Sequence, residues 1–475
     1  MSDSAATPAG SETTQRADPA AVVARLRAYA HSGRTQPLSW RLAQLDGLAA
    51  LLAEHGHELE AALAADLGKA PTEAHLTEIG VLTEEIAHTR ANLRRWLEPQ
   101  SVPVPWQYQP ARASLVLEPL GVMLVIAPWN YPVLLLLAPL VGALAAGNAV
   151  LLKPSELAPR TAETIARLVP RYLEGVAVVT GGPERSSEVL AERFDHIVFT
   201  GSARVGRIVM TAAAKHLTPV TLELGGKSPA WVDASTDLAT AARRIAWAKL
   251  VNAGQTCVAP DYLLAPPEVA EELEPLLTRA MVRMYGSDPA QSPDFGRIIT
   301  TEHTERLQRL VSDSVAAGAR VVLGGPADPA TRFVPPTILA DVAPDSPVMG
   351  EEVFGPVLPI VPVDGLDEAI GFIRAGEKPL ALYAFTADSE VRTRLLRETS
   401  SGALGFDVPL LQAAIPDLPF GGVGGSGMGA YHGAASVRAF SHAKPVLRKP
   451  LLPDTLAAIR PPFTALRQAV ARRLM

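Results

Sequence analysis

The chain has 475 residues, of which 48% are hydrophobic and 19% charged, a composition typical of a globular protein with a large core and two or three domains. Its formal net charge of −6 gives no general attraction to phosphate backbones, so we expect no nucleic-acid partner. The single cysteine cannot form an internal disulfide and the first residues lack the features of a signal peptide, so we expect a cytoplasmic location.

The first part of the chain predicts a disordered leader followed by helices. Residues 1–18 are rich in Ser, Thr, Ala, Gly and Pro and carry no fold signal. From about 20 to 97, leucines recur at helical spacing, and Gly68 can end one of these helices. His55 and His57 lie two residues apart and would not share a helix face, so we expect exposed side chains rather than metal ligands, and no metal site.

The stretch from Pro119 to Leu152 contains no formal charge, which would suit a transmembrane helix. Prolines, glycines and asparagines interrupt it at positions that one long helix would not tolerate. We therefore favour a strand over 122–127, a buried helix over about 133–146 and a second strand over 149–152. The stretch then forms a buried strand–helix–strand unit.

The alternation of strands and helices continues and predicts a doubly wound parallel sheet. Further strands are expected at 176–180, 196–200 and 220–224. Cofactors bind such sheets at the C-terminal ends of the strands. Lys153 and Glu156 follow one strand, and Gly201 and Ser202 follow another, at the start of a helix whose amides could hold a phosphate.

A glycine motif of the dinucleotide-binding type occurs at Gly422–Gly427. No strand or capped helix frames it, and no acidic residue follows about 20 positions later to bind a ribose. We interpret it as a turn in which two backbone segments approach each other closely.

A second alternation begins beyond residue 257 and predicts a second α/β domain. Its helices are expected at 268–284 and 305–317, and its strands at 320–323 and 357–361. The tail after Arg448 interleaves arginines with apolar residues and is interpreted either as a basic amphipathic helix on a membrane surface or, preferably, as a solvated or dimer-facing helix. It has no long apolar run, so we expect no integral membrane segment.

Cys257 is the only cysteine and the first candidate for chemistry. A lone cysteine is often a small buried hydrophobic residue. Its neighbours Asn252, Gly254, Gln255 and Thr256 suit neither a core helix nor a core strand, and Gly254 permits a tight turn before the sulfur. The pattern favours a nucleophile over a packing residue.

Seven short motifs, taken together and in order, resemble the aldehyde dehydrogenase superfamily over residues 30–447. They are Pro128-Trp129-Asn130, Lys153-Pro154-Ser155-Glu156, Phe199-Thr200-Gly201-Ser202, Glu223-Leu224-Gly225-Gly226-Lys227, Gly254-Gln255-Thr256-Cys257, Glu352-Val353-Phe354-Gly355-Pro356 and Pro419-Phe420-Gly421-Gly422. The runs 418–433 and 448–464 are similar to the class 3 branch, which includes fatty and aromatic aldehyde dehydrogenases.

The resemblance implies an α/β protein with a doubly wound parallel-sheet cofactor domain, a second α/β catalytic domain and a small oligomerisation hairpin, assembled as a homodimer. The expected segments are the leader 1–18, a cofactor domain of 19–106 and 119–224, a catalytic domain of 225–430, a hairpin of 107–118 and 431–447, and a tail of 448–475.

The same resemblance assigns catalytic roles. Cys257 would attack an aldehyde carbonyl, the side-chain amide of Asn130 and the backbone N–H of Cys257 would stabilise the oxyanion, and Glu223 would activate water. Taken alone, Glu223 could be a strand-end carboxylate paired with Lys227, and Asn130 a turn residue between prolines. In the company of the other motifs, catalysis is the preferred interpretation.

NAD or NADP is the implied cofactor. Lys153 and Glu156 would lie at the adenosine ribose, and Gly201 with Ser202 at the pyrophosphate. The nicotinamide end is assigned by resemblance to Glu352 and Phe354, and the substrate tunnel to Tyr131 and Trp247. Either tunnel aromatic could equally belong to the core.

The expected function is oxidation of a small-molecule aldehyde, apolar and either aliphatic or aromatic, to its carboxylic acid. One alternative is a CoA-acylating dehydrogenase, although that route does not need the water-activating Glu223. Another is a non-catalytic protein that keeps the fold. Where the family usually has Asn-Asp, this chain has Asp407-Val408, which places substrate choice in doubt because that position borders the substrate entrance in relatives.

Overall fold

The structure, a computed structural model, describes residues 18–474. The predicted leader lies outside these residues except for Asp18, which caps the first helix by accepting a hydrogen bond from the backbone of Ala20. The fifteen α-helices of this region are α1 (Pro19–His31), α2 (Leu38–Leu67), α3 (Pro71–Ala74), α4 (Gly80–Trp96), α5 (Leu134–Ala146), α6 (Pro159–Tyr172), α7 (Pro183–Ala191), α8 (Ala203–Ala214), α9 (Leu238–Leu250), α10 (Pro267–Tyr285), α11 (Thr301–Ala316), α12 (Leu366–Ala375), α13 (Ser389–Glu398), α14 (Gly433–Ala439) and α15 (Ala465–Leu474).

Sixteen strands form three sheets within the same residues. They are β1 (Gln100–Val102), β2 (Arg112–Pro119), β3 (Val122–Ile126), β4 (Ala149–Lys153), β5 (Val176–Val178), β6 (His196–Gly201), β7 (Val220–Leu224), β8 (Pro229–Val232), β9 (Tyr262–Ala265), β10 (Arg320–Leu323), β11 (Thr337–Ala340), β12 (Val357–Pro362), β13 (Ala381–Phe385), β14 (Ala403–Phe406), β15 (Gly427–Met428) and β16 (Ser441–Arg448). One π-helical turn, His75–Ile79, joins α3 to α4.

The first large sheet has the strand order β15-β7-β6-β3-β4-β5 and is parallel except for β15. Alternate residues of β3 enter two different apolar clusters: Met123 and Val125 face one, Val122 and Leu124 the other. Both faces of this sheet are therefore covered by helices, which confirms the doubly wound architecture.

The uncharged stretch folds as β3, α5 and β4, as the strand–helix–strand interpretation predicted. Helix α5 is almost wholly buried and ends at Gly147, whose left-handed backbone (φ 88°) suits glycine. Among residues 18–474, no helix is both long and apolar enough to cross a membrane.

The second large sheet has the order β10-β11-β12-β9-β8-β13-β14 and is parallel except for β10. It forms the predicted second α/β layer, with α10 and α11 close to their expected bounds. The segment that carries Cys257 connects α9 to β9, so in the chain order it lies between β8 and β9, two neighbouring strands of the second large sheet.

The third sheet contains β1, β2 and β16, with β2 paired antiparallel to β16 over eight residues. The segment 431–447, expected as hairpin, is helical in its first half because α14 lies there, and only its end is extended. The glycine-rich segment is a turn, as predicted: β15 pairs antiparallel with β7 at Glu223, and a Cβ on Gly422 would overlap the carbonyl oxygen of Ser426.

Candidate active site

The turn before Cys257 is held in a left-handed backbone. Asn252, Ala253 and Gly254 have φ values of 54°, 52° and 77°, a conformation that costs little only for the glycine. A side chain at Gly254 would overlap the carbonyl of Gly355, so the turn lies directly against a second backbone segment.

The side chain of Gln255 stabilises the same turn through hydrogen bonds. Its side-chain amide donates to the carbonyls of Asn252 and Arg297, each at 3.0 Å, and its side-chain oxygen accepts from the backbone of Ile299 at 2.9 Å. Because the Gln255 side chain is fully buried, the loss of one partner would leave one of its polar atoms unpaired. The glutamine thus holds the nucleophile's turn rather than entering the chemistry.

Asn130 lies beside this turn and is buried. The side-chain nitrogen of Asn130 donates to the backbone carbonyl of Gln255 at 3.0 Å. The backbone carbonyl of Asn130 accepts from the side-chain amide of Asn252 at 2.7 Å. A side-chain amide is therefore positioned next to the Cys257 segment, as an oxyanion donor requires.

Glu223 is the penultimate residue of β7 and is buried close to the Cys257 thiol. Burial raises the pKa of its carboxyl to about 7, although the nearby Cys257 thiol and Thr200 hydroxyl lower it. The proposed structural alternative is wrong: Lys227 does not pair with Glu223 but donates to Asp261 at 2.5 Å.

Cys257 is half-buried, and its thiol is disfavoured as an anion in this structure. Burial raises the pKa of the thiol well above its usual range, and the carboxyls of Glu223 and Glu352 raise it further. The sulfur consequently needs either a proton acceptor or a nearby positive charge to react.

Several buried polar atoms near Cys257 have no hydrogen-bond partner of good geometry among residues 18–474. They are Oδ1 of Asn130, Oγ1 of Thr200, both carboxyl oxygens of Glu223 and Oη of Tyr431. Buried polar atoms are rarely left unpaired. Their grouping marks a place where a polar substrate atom or a water molecule can bind.

An apolar cavity of about 300 Å³ opens beside the sulfur. Its walls are formed by Leu76, Thr77, Val81, Tyr131, Leu134, Leu135, Ala138, Trp247, Val251, Thr256, Cys257, Val258, Leu410, Leu411, Ala413, Ala414, Phe420, Tyr431 and His432. None of these residues is an Asp, Glu, Lys or Arg, and burial lowers the pKa of His432 to about 4, so its ring is neutral at pH 7. The cavity favours an apolar molecule.

Both predicted tunnel aromatics, Tyr131 and Trp247, line this cavity. The hydroxyl of Tyr131 is 2.6 Å from Oγ1 of Thr256, the neighbour of the sulfur. Sequence reasoning missed most other walls, because 76–81, 410–414 and 420–432 are far apart in the chain and none has a pattern that indicates a pocket.

A buried ion pair that the sequence did not reveal supports the Asn130 loop. Lys69 contacts Glu78 at 2.5 Å and lies 4.2 Å from the centroid of the Tyr131 ring. The second oxygen of Glu78 accepts from the backbone of Val133 and Leu134, at the start of α5. Glu78 sits in the π-helical turn, whose presence no periodicity in the sequence predicts.

Asp407 does not place a charge in the cavity. Its carboxylate pairs with Arg392 at 2.7 Å and accepts from the backbone of Thr386, and the residue is not among those lining the walls. The presence of Asp407 where the family usually has asparagine therefore adds no charge to the described walls of the cavity.

A second cleft, of about 380 Å³, lies at the C-terminal ends of β4 and β5. It is lined by Pro154, Ser155, Glu156, Pro159, Ala162, Glu163, Thr180 and Gly181. Lys153, at the end of β4, is buried with its ammonium 3.7 Å from Glu156 and hydrogen-bonded to the carbonyl of Pro154. Sequence reasoning had missed Glu163, a second carboxylate in this cleft.

The first turn of α8 lies at the end of β6, which β3 separates from β4 in the same sheet. Ser202 caps this helix, with its hydroxyl accepting from the backbone of Val205 at 3.4 Å. The N-terminus of a helix favours a phosphate, because the first backbone amides have no partner within the helix.

Glu352 and Phe354 lie in the loop before β12, a strand of the second large sheet. This loop contacts Gly225, which directly follows β7 of the first large sheet. Oxygens of Glu352 lie so close to Gly225 that a side chain there would overlap them, and burial raises the pKa of Glu352 to about 8. The ring of Phe354 packs edge-on against Trp129, with centroids 5.4 Å apart. The residues fit a dinucleotide: carboxylates for ribose hydroxyls, helix amides for phosphate and an aromatic wall for a flat ring.

The chain is similar to proteins of one family along nearly its whole length. The sequence model described as the aldehyde dehydrogenase family matches residues 6–446. Human aldehyde dehydrogenase family 3 member B1 is 49% identical over 440 residues, covering 92% of this chain and 93% of that protein. The dimeric NADP-preferring aldehyde dehydrogenase of the dog, Canis lupus familiaris, is 46% identical over 443 residues, covering 93% of this chain and 97% of that protein.

The fold is also similar to solved structures of this family. The substrate-bound state of Staphylococcus aureus AldH has a TM-score of 0.92 at 39% identity and covers 96% of this chain and 99% of its own. An indole-3-acetaldehyde dehydrogenase in complex with NAD+ has a TM-score of 0.84 at 27% identity, covering 91% of this chain and 89% of its own.

Proposed function

The chain belongs to the aldehyde dehydrogenase family and oxidises aldehydes with NAD or NADP, and we propose that Cys257, Glu223 and Asn130 carry the reaction in this protein. The observation that supports the assignment most directly is that the buried amide of Asn130 and the buried carboxyl of Glu223, with its raised pKa, both lie close to the Cys257 segment, whose sulfur lines the apolar cavity. The class 3 relatives are the most informative for its finer properties.

The first step is the addition of sulfur to the aldehyde carbonyl. Because the pKa of the Cys257 thiol is raised, the thiol must give its proton to a water molecule as the sulfur adds to the carbonyl, and Glu223 keeps its capacity to accept a proton in the later hydrolysis. The oxyanion that forms accepts from the Asn130 amide and the backbone N–H of Cys257. One such donor contributes about 2.7–4 kcal/mol in comparable sites.

Collapse of the oxyanion expels a hydride and leaves a thioester on Cys257. NAD or NADP, when bound, accepts that hydride. Glu223 then takes a proton from water, which attacks the thioester and releases the carboxylic acid. The unpaired oxygens of Glu223, Thr200 and Tyr431 provide acceptors for this water.

For the cofactor, we assign Lys153 and Glu156 to the adenosine ribose, Gly201 and Ser202 to the pyrophosphate, and Glu352 with Phe354 to the nicotinamide end. The carboxylates of Glu156 and Glu163 suit the hydroxyls of a ribose, and Lys153 suits a 2′-phosphate. The named NADP-preferring relative supports the use of either dinucleotide.

The substrate we propose is an apolar aliphatic or aromatic aldehyde. Each methylene buried in the cavity contributes about 0.8 kcal/mol, which corresponds to about fourfold in kcat/KM until the cavity is filled. We therefore expect hexanal, decanal and benzaldehyde to show higher kcat/KM than acetaldehyde or succinic semialdehyde, measured as reduced cofactor formed with NAD and with NADP.

The described walls of the cavity include no arginine or lysine that could pair with the second carboxylate of succinic semialdehyde. If that substrate or acetaldehyde gives the highest kcat/KM, the apolar-substrate proposal is wrong, while the assignment to aldehyde oxidation stands. Product analysis in the same assays, with and without CoA, separates hydrolysis from acyl transfer to CoA: the retained Glu223 predicts the free acid in both.

Glu223 should also set a pH dependence. Its pKa of about 7 means that the base is half ionised near neutrality, so release of the acid from Cys257 should rise with pH through about 7 and then level off. The same raised pKa makes folding less favourable as pH rises from about 4.5 to about 7, since the unfolded chain loses this proton first.

The rise with pH can be measured as the rate of acid release, at each pH, after the enzyme has reacted with one equivalent of aldehyde. The same pH series with the Glu223→Gln variant is the control, because glutamine does not titrate. If the rate of acid release rises with pH in the same way in the Glu223→Gln variant, the titrating group is not Glu223.

We further propose a homodimer formed through the sheet of β1, β2 and β16, in a cytoplasmic protein with the domain limits expected above. Strand β16 is an edge strand of eight residues, mostly exposed, and an unpaired edge of this length favours association with another chain. The relative named as dimeric supports the same assembly.

A further inference from the structure

The segment 69–78 carries charged side chains beside the active site that the proposed reaction does not use. It contains helix α3 and most of the π-helical turn that follows it. Its formal charges belong to Lys69, Glu73 and Glu78. The side chains of Lys69 and Glu78 are fully buried, which is rare for these residue types. The positions of these three side chains therefore call for a physical reason.

Lys69 and Glu78 hold the loop that carries Asn130. The ammonium of Lys69 contacts Glu78 at 2.5 Å and also donates to the backbone carbonyl of Asn130 at 3.4 Å. The second oxygen of Glu78 accepts from the backbone of Val133 at 2.9 Å and of Leu134 at 3.2 Å, at the start of α5. Asn130 is therefore fixed both at its own carbonyl and at the helix that follows it.

Glu73 holds the turn that leads to Cys257. Its carboxyl oxygen accepts from the backbone N–H of Asn252 at 2.9 Å. Asn252 has a left-handed backbone (φ 54°), a sparsely populated conformation that persists where the surroundings hold it. Its side-chain amide donates to the carbonyls of Asn130 at 2.7 Å and Gln255 at 3.2 Å. The hydrogen bond to Glu73 thus orients the residue that links the Asn130 loop to the Cys257 turn.

The π-helical turn brings the two carboxyls of this segment closer together. Glu73 and Glu78 are five residues apart in the sequence, and in a continuous α-helix their side chains would point about 140° apart. In the turn, the N–H of Gly80 donates to the carbonyl of His75, so the helix widens and this angle decreases. Lys69 acts on both carboxyls: burial raises the pKa of Glu73, and the charge of Lys69 lowers it. The three charges form one cluster.

We infer that the cluster of Lys69, Glu73 and Glu78 consists of positioning residues for the oxyanion. Together they hold the side-chain amide of Asn130 and the backbone N–H of Cys257 in the geometry that the oxyanion requires, an inference that rests on the roles proposed above for these two donors. None of the three side chains lines the apolar cavity or the second cleft. They therefore act through the donors, and a donor displaced by about 1 Å can cost about 10²-fold in rate.

Variants of Glu73 test the inference, because the effect of its hydrogen bond can be separated from that of its charge. Glu73→Ala removes the acceptor for the N–H of Asn252, whereas Glu73→Gln keeps a side-chain oxygen that can accept it. At saturating aldehyde and cofactor, the first turnover should slow by at least about tenfold in Glu73→Ala. It should stay close to the rate of the unchanged enzyme in Glu73→Gln. The KM for the cofactor should not change in either variant.

A double-mutant cycle with Asn130→Ala shows whether Glu73 acts through the donors. The effects of residues that act through one another do not multiply. Asn130→Ala should slow the first turnover by roughly 10²–10³-fold, the usual cost of one lost oxyanion donor. Glu73→Ala should then cost less in the Asn130→Ala enzyme than in the unchanged one. Glu84→Ala, which removes an exposed carboxyl on α4, is the matched control and should leave the rate unchanged.

The buried pair gives an independent test. Lys69→Met/Glu78→Gln removes both charges at once, so no unpaired charge remains, and glutamine keeps an oxygen for the start of α5. This double variant loses the contact from the ammonium to the carbonyl of Asn130, so its first turnover should slow by at least about tenfold. Thermal unfolding shows whether each variant is folded, and the Glu73 variants decide the matter if the double variant is not.

A first turnover of normal rate in Glu73→Ala, or effects of Glu73→Ala and Asn130→Ala that multiply, would overturn the inference and leave the roles of Asn130 and Cys257 in place. An equal loss of rate in Glu73→Gln would also overturn it, because the hydrogen bond to Asn252 would then not be what matters. A normal rate in Asn130→Ala would instead contradict the oxyanion role of Asn130 itself, and the inference would fall with it.

Discussion

Cys257→Ser is expected to lose aldehyde oxidation by on the order of 10⁴-fold or more while the protein still folds and binds its cofactor. An alcohol is a far weaker acid than a thiol, and the surroundings of Cys257 already raise the pKa of the thiol well above its usual range. Serine would therefore have no accessible anion. The variant also cannot form the thioester, so no burst of reduced cofactor should appear.

The loss can be measured as reduced cofactor formed per enzyme, with thermal unfolding and cofactor fluorescence as tests of fold and binding. The side chains that bind the cofactor in our proposal, such as Ser202 and Glu352, are not altered, so binding should be retained. Activity within tenfold of the unchanged enzyme would show that sulfur is not the nucleophile.

Much of the fold could be predicted because local residue chemistry agrees with the final structure. The uncharged stretch 119–152 was separated into β3, α5 and β4 by its prolines, glycines and asparagines, each of which breaks a helix or strand for a physical reason. The turn before Cys257 was likewise indicated by Gly254, which adopts a left-handed backbone.

The walls of the cavity could not be predicted in the same way. Segments 76–81, 410–414 and 420–432 meet only after the two large sheets have formed, and an apolar residue that lines a cavity has the same sequence pattern as one that packs in a core. Lys69 and Glu78 are a stronger example, since buried charges next to a helical pattern look like an ordinary solvated face.

Charge pairing was the least predictable feature. Lys227 lies four residues after Glu223 and was the natural partner by proximity, yet it donates to Asp261 and to two backbone carbonyls. Asp407 was expected near the substrate entrance, but Arg392 binds its carboxylate. In both cases the partner belongs to a different element of the fold and lies beyond the three- or four-residue spacing that a helical pattern reveals.

Glu223→Gln is expected to separate the two halves of the reaction. Glutamine keeps the size of the side chain but cannot accept a proton from water, so the thioester should form and then persist. The steady-state rate should fall by roughly 10²–10⁴-fold, the usual contribution of a general base. The first turnover should still produce reduced cofactor, in an amount close to the enzyme concentration.

Glu352→Gln is the matched control, because Glu352 is also a buried carboxyl of raised pKa near Cys257 but is assigned to the cofactor. Its loss should weaken cofactor use and slow the first turnover itself, so no stable acyl-enzyme should accumulate. Rapid-mixing measurement of reduced cofactor, with mass spectrometry of the trapped protein, distinguishes the two variants. A normal steady-state rate in Glu223→Gln, or a thioester that persists equally in Glu352→Gln, would contradict the assignment of Glu223 as the base that activates water.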